Sequence, residues 1–146
     1  MSSFENQIGE VSGADQTDVA ALQILIVDDD PQLGDLLVML LQTAGYQTEV
    51  VRNGRAALDY LARRPVTLLI TDIFMPDFDG LELLFALRKV VPRPRLIAMS
   101  GNEDTDQTGI LHMAGQLGAE RRLCKPFKTE VLLKAVRDIL GEAAAA

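Results

Sequence analysis

Leu22-Gln23-Ile24-Leu25-Ile26-Val27-Asp28-Asp29-Asp30-Pro31 is the stretch that decides the fold. An almost wholly apolar run ends abruptly on three acids and a proline. A run this short and this apolar suits a strand buried on both faces, and such strands belong to parallel sheets covered by helices on each side. Asp30 is placed to cap the next helix, and Pro31 fits its first turn. Leu33, Leu36, Leu37, Leu40 and Leu41 then recur at helical spacing. Gly45 suits the left-handed residue that closes a helix.

The alternation continues outward from there. Residues 46–51 read as a second strand, Asn53-Gly54 as a turn, and residues 55–63 as a helix stopped before Pro65. Residues 66–71 form a third apolar strand. Residues 80–90 read as a helix with Leu81, Leu84, Phe85 and the stem of Arg88 on its apolar face, and Asp77 and Asp79 as turn formers before it. Residues 95–99 make a fourth strand, 107–117 a helix weakened by Gly109 and Gly115, and 121–124 a fifth strand. Thr129 is the expected cap of a last helix whose buried stripe is Val131, Leu132, Ala135, Val136, Ile139 and Leu140. Five strands alternating with five helices predict an α/β, flavodoxin-like doubly wound (βα)5 fold with a parallel sheet in the order 2-1-3-4-5. The expected domain runs from 22 to 141, with an acidic extension at 1–21 and a short tail at 142–146. The extension carries Glu5, Glu10, Asp15 and Asp18 and no Lys or Arg. It reads either as a solvating tail or as a short helix that caps the domain or meets a partner.

Composition narrows the function. Hydrophobic residues make up 48% of 146 residues and aromatics only 5%, so aliphatic side chains must build the core. The formal net charge of −7 disfavours nucleic acid and anionic membranes as partners, since both need a basic face. The first twenty residues lack the basic and apolar blocks of a signal peptide, and a cytoplasmic location is expected. The lone Cys124 reads as an inert thiol within an apolar run. His112, the only histidine, lies on a helix away from the strand ends, so a zinc site is not expected.

Ligands of open α/β sheets bind beyond the carboxyl ends of the strands. The first strand delivers Asp28, Asp29 and Asp30 to that edge, the third Asp72, the fourth Ser100, and the fifth Lys125 followed by Pro126. Converging carboxylates repel one another unless a cation offsets them or one protonates. All the candidate ligands are oxygens, so a hard divalent ion such as Mg²⁺ is the expected cofactor. An aspartate can attack phosphorus to form an acyl phosphate, and that chemistry needs mainly positioning and neutralised charge.

Several segments together resemble the response-regulator receiver family: Ile24 to Pro31, Leu69 to Pro76, Asp79-Gly80, Met99-Ser100-Gly101 and Lys125-Pro126-Phe127. The likeness runs from about Gln23 to Leu140, and Met99-Ser100-Gly101 with Leu117-Gly118-Ala119 is similar to a group of stand-alone receivers. The resemblance implies that Asp72 accepts the phosphoryl group. It implies that Asp29 ligates Mg²⁺ directly, Asp28 largely through water, Asp72 through its other oxygen, and Phe74 through its backbone carbonyl. Ser100 would move its hydroxyl to the phosphoryl group, Lys125 would pair with a phosphoryl oxygen, and the Lys125–Pro126 peptide would be cis.

Three departures stand out. Arg122 occupies the place where the family often has an aromatic toggle, and it is expected to meet a partner or an acidic neighbour instead. The stretch from Ser100 to Lys125 is a few residues longer than usual, with the extra length placed at 102–108. Phe74 fills a position whose side chain often contacts the attacking water.

The expected function is a phosphorylation-activated signalling switch. A sensor histidine kinase or histidine phosphotransfer protein would supply the phosphoryl group. The surface around the fourth helix, fifth strand and fifth helix would then change its binding to a downstream protein. The alternative is a phosphate shuttle in a relay. No output domain is read after Leu140, and no catalysis is expected beyond the protein's own phosphorylation and dephosphorylation. A flavin binder is disfavoured by the acids after the first strand, and a phosphatase with an aspartyl nucleophile by Phe74 where its second acid would stand.

Overall fold

The computed structural model describes residues 21–74, 80–100 and 110–141. Among these residues ten elements follow one another: β1 (Leu22–Val27), α1 (Pro31–Thr43), β2 (Thr48–Val51), α2 (Gly54–Arg63), β3 (Val66–Asp72), α3 (Gly80–Leu87), β4 (Arg95–Ser100), α4 (Ile110–Gln116), β5 (Arg121–Cys124) and α5 (Thr129–Leu140). The strands form one sheet in the order β2-β1-β3-β4-β5, with every pairing parallel. This is the order expected from the sequence.

The apolar strands are explained by the two cores they serve. Leu25, Val27, Leu69 and Ala98 join Ala57, Leu83, Leu84 and Leu87 on the face covered by α2 and α3. Ile24, Ile26, Leu68, Ile70, Ile97 and Met99 join Leu37, Leu41, Leu132 and Val136 on the face covered by α1 and α5. Successive strand residues point to opposite faces, so a strand covered on both sides must be apolar at nearly every position.

Asp30 caps α1 as expected, accepting the N–H groups of Gln32 and Leu33 at 3.0 and 3.4 Å. At the other end Gly45 has φ 102°, Gly45 N–H donates to Gln42, and Tyr46 N–H donates to Leu41. That pair of bonds is the glycine-closed helix ending in which two otherwise orphaned carbonyls find donors. Gly45→Ala should therefore cost about 1–2 kcal/mol, because a side chain is strained in this region. A urea midpoint equal to wild type would contradict this.

Several expectations need correction. The second strand starts at Thr48 rather than Tyr46, because Tyr46 closes the α1 ending and its hydroxyl reaches the Gly141 carbonyl at 2.9 Å. Gly54 opens α2 behind the Asn53 cap instead of completing a free turn. The third helix ends at Leu87, with Arg88, Lys89 and Val90 in a tighter turn. Its buried residues include Leu83, Leu84 and Leu87, while Phe85 is half exposed. Thr129 is the first residue of α5 and not its cap; Lys128 occupies the cap position without a side-chain bond. Val131 is 45% exposed, so the α5 stripe is Leu132, Ala135, Val136 and Ile139, with Leu140 partly covered. Asp77, Asp79, the 102–108 loop, the extension and the tail lie outside the described residues.

Candidate functional site

The carboxyl edge of the sheet gathers its chemistry from four strand ends. β1 and β3 are paired in register, with Val27 opposite Thr71, so the residues that follow, Asp28 and Asp72, come out side by side. Asp72 lies opposite Met99, and Ser100 opposite Cys124. The next residue on the fifth strand is Lys125, whose N–H donates to the Ser100 carbonyl at 2.6 Å. Register alone thus brings Asp28, Asp72, Ser100 and Lys125 to one place. The Lys125–Pro126 peptide is cis, as expected.

Lys125 lies between the two acids. Its Nζ donates to Asp28 Oδ2 and to Asp72 Oδ2, both at 2.9 Å. The Asp28 side chain is fully buried, and those of Asp72 and Lys125 are only 7% and 17% exposed. Asp28 Oδ1 accepts the Asp30 N–H at 2.9 Å, which leaves each of its oxygens with a protein partner. Asp72 Oδ1 accepts the Phe74 N–H at 2.9 Å, and the Thr71 hydroxyl braces the Asp72 carbonyl. Asp29 is exposed at the mouth.

Burial pushes the Asp72 carboxyl above its ordinary range, and the bonds from Phe74 and Lys125 only partly offset it. Burial also works against the Lys125 ammonium, but its bonds to Asp28 and Asp72 outweigh that and hold it above its ordinary value. Asp72 is therefore destabilising when charged. An acid with a raised folded pKa contributes most below its ordinary value, and that contribution is lost as pH rises through the folded value. In chelator at neutral pH, Asp72→Asn should raise the urea midpoint, and the gain should vanish as pH falls below the ordinary aspartate range. A midpoint below wild type at pH 7 would reverse this reading.

One carboxylate oxygen from each of Asp28, Asp29 and Asp72 lies within 4.8 Å of the other two. Three carboxylates face one ammonium, which leaves two negative charges to be neutralised. The donors are all hard oxygens, and one acid stands open to solvent. Such a set fits Mg²⁺, an ion that takes few carboxylates and keeps several waters.

A family model described as the response regulator receiver domain matches residues 24–137. The chain belongs to this family. This receiver domain is 36% identical over 119 residues to response regulator GtcR of Aneurinibacillus migulanus, covering 82% of this chain and 46% of that protein. It is 35% identical over 118 residues to the transcriptional regulatory protein CpxR of Escherichia coli K12, covering 81% and 49%. The chain thus spans about half the length of the curated relatives it matches. Among solved structures it resembles the signal receiver domain of a signal transduction histidine kinase from Syntrophus aciditrophicus. The TM-score is 0.72 and the identity 32%, covering 86% of this chain and 95% of that one.

Every site residue expected from the sequence lies at this edge: Asp28, Asp29, Asp72, Phe74, Ser100 and Lys125. Two features had not been foreseen. Lys125 binds both acids, and Thr71 supports the Asp72 backbone. The register of β1 against β3 is the signal for the first; nothing in the sequence marks the second. Arg122 is exposed on β5, where its guanidinium lies beside Gly115 of α4. The space left by that glycine admits the long side chain in place of an aromatic ring. Cys124 is a free thiol and partly buried. No helix among the described residues is long and apolar enough to cross a membrane.

Proposed function

We propose that this receiver domain accepts a phosphoryl group on Asp72 from a phosphohistidine of a sensor histidine kinase or histidine phosphotransfer protein, with Mg²⁺ bound. The observation that carries this reading is the Lys125 ammonium held between Asp28 and Asp72 in a pocket of three acids. Asp72 Oδ1 is fixed by the Phe74 N–H, and Oδ2 by Lys125. The carboxylate is thus oriented before any donor arrives, which removes the entropic cost of aligning it. Asp28, Asp29, Asp72 and the Phe74 carbonyl would hold Mg²⁺, which neutralises the charge of incoming phosphate oxygens. When an Asp72 oxygen bonds to phosphorus, the bond from phosphorus to the donor nitrogen breaks, and the donor imidazole leaves. Lys125 then pairs with a phosphoryl oxygen, and Ser100 supplies a hydroxyl from the adjacent strand end.

The consequence is a shift between two existing states, with Ser100 and the segment after it drawn toward the phosphoryl group. The surface of α4, β5 and α5, where Arg122 is exposed, would then change its binding to a downstream protein. The domain catalyses only its own phosphorylation and dephosphorylation. It acts in the cytoplasm, and its acidic balance argues against direct contact with nucleic acid. The test is Mg²⁺-dependent labelling by a small phosphodonor such as phosphoramidate, read by intact mass. Wild type should gain one phosphoryl group, and neither Asp72→Asn nor chelated wild type should. Equal labelling of wild type and Asp72→Asn would defeat the proposal.

A further inference from the structure

Arg93 and Arg95 flank the buried Pro94 where the chain enters β4, at the edge of the sheet opposite the acidic pocket. The alternation of an extended chain sends both side chains outward. Each guanidinium reaches the C-terminal end of a different helix. Arg93 Nη2 donates to the Leu117 carbonyl, just past α4. Gly118 makes room for it: its φ is 115°, and a Cβ there would lie 2.5 Å from Arg93 Nη2. Arg95 Nη1 donates to the Ile139 carbonyl in the last turn of α5 at 2.6 Å. Arg95 Nε and Nη2 hold both carboxylate oxygens of Glu120, the residue before β5, at 2.8 and 2.6 Å. The Glu120 N–H donates to the Leu96 carbonyl of β4 at 2.8 Å. Carbonyls at a helix C-terminus lack intrahelical donors and carry the negative end of the dipole, so a guanidinium suits both helix ends.

The opposite end of the same face is held differently. Lys128 occupies the cap position of α5 without a side-chain bond. β5 leads into Lys125, whose ammonium is shared between Asp28 and Asp72. The face made by α4, β5 and α5 is thus bound at its lower end to one short segment, Arg93 to Leu96. Its upper end stands at the phosphorylation site.

With a phosphoryl group on Asp72, as proposed above, we infer that this face responds by tilting about its lower end, with Arg93 and Arg95 as the positioning residues of the hinge. Ser100 and Lys125 displace the upper end. The ends of α4 and α5 that the two guanidiniums hold stay with the start of β4. A partner then meets a change graded along the face, greatest at the first turn of α5 and least beside Leu117 and Ile139.

Amide exchange of the full-length chain tests this in Mg²⁺, with and without excess phosphoramidate, and intact mass reports the phosphoryl group on the same samples. The Val131 and Leu132 N–H groups, both bonded to the Lys128 carbonyl, report the upper end. Those of Leu117 and Ala119, bonded within α4, and of Gly141, bonded to Arg137, report the lower end. In wild type, phosphorylation should alter exchange at Val131 and Leu132 and leave Leu117, Ala119 and Gly141 within about twofold of their unphosphorylated rates. In Arg93→Ala the phosphorylated form should exchange Leu117 and Ala119 about twofold to fivefold faster than the unphosphorylated form, the range of an exposed charged contact. Gly118→Ala, whose Cβ displaces Arg93, should do the same. Arg93→Lys, which keeps a charged donor, should bring the ratio back toward one. Arg95→Gln should raise the ratio at Gly141. Equal changes at Leu117 and Val131 in phosphorylated wild type would overturn the hinge. So would a ratio near one in Arg93→Ala, because a bond that serves stability alone loosens both forms alike. Either result, with the phosphoryl mass present, overturns the tilt and leaves Asp72 as the acceptor. Wild type that gains no phosphoryl mass removes the acceptor and the tilt together.

Discussion

Lys125→Met should destabilise the metal-free protein by about 2–4 kcal/mol at neutral pH, the largest loss expected from any single change at the site. Removing one partner of a buried ion pair costs about 3–5 kcal/mol, because the remaining charge stays buried without compensation. Here two carboxylates are left, one of them fully buried, and the small exposure of Lys125 lowers the expected loss slightly. The sign follows from the raised ammonium. Its contribution is complete below the ordinary lysine value and is lost only as pH rises through the folded value, so neutral pH shows the whole effect. In acid the carboxylates protonate, and the gap between variant and wild type should close. On the proposed reading Mg²⁺ would bind the folded state alone and should recover part of the loss, about 2.7 kcal/mol at a hundredfold excess over its dissociation constant. Adding Asp72→Asn should recover part of it without metal, since the two residues share one interaction. Urea titration in chelator decides the matter: a Lys125→Met midpoint equal to wild type would mean that the ammonium does not hold these acids together.

The same charge balance explains how the acids divide their work. Asp28 spends one oxygen on Lys125 and the other on the Asp30 N–H. It braces the pocket, and on the proposed reading would reach a metal only with the lone pairs that remain. Asp29 is the exposed acid of the three. Asp30, the third acid of the run, turns away to cap α1. One tripeptide thus supplies a brace, an open acid and a helix cap.

How much of this was legible in the sequence depended on the physics behind each feature. The sheet order was legible because strands covered on both faces must be apolar throughout, and Leu22–Val27 and Val66–Asp72 have no other use for such runs. The site was legible because parallel strands all deliver their last residues to one edge. Helix ends were less so. Thr129 looks like a cap, yet Lys128 takes the cap position and Thr129 is already helical, a matter of backbone path. Val131 and Phe85 fit helical spacing but face solvent, since periodicity gives the phase of a stripe only to within about a residue. The double engagement of Lys125 was hidden for a different reason: it arises from residues 97 and 53 positions apart in sequence, joined only by register.

Phe74→Asn should shorten the lifetime of phosphorylated protein about tenfold, a barrier change of about 1.4 kcal/mol. The Phe74 N–H is bonded to Asp72 Oδ1, so the side chain rises from the backbone directly beside the acceptor. It is 44% exposed. Hydrolysis needs a water in line with the phosphorus–Asp72 bond. A ring beside the acceptor offers that water no hydrogen bond, whereas an amide can hold and orient it. Asn is smaller and polar, so both access and orientation change in the same direction. On the proposed reading uptake of phosphate would rest on Asp72, Lys125 and the neighbouring acids, and it should change little. Measuring both rates on the same preparation separates the effects: faster loss with unchanged uptake locates the role of Phe74 in shielding the phosphoryl group. A longer lifetime in Phe74→Asn than in wild type would refute it.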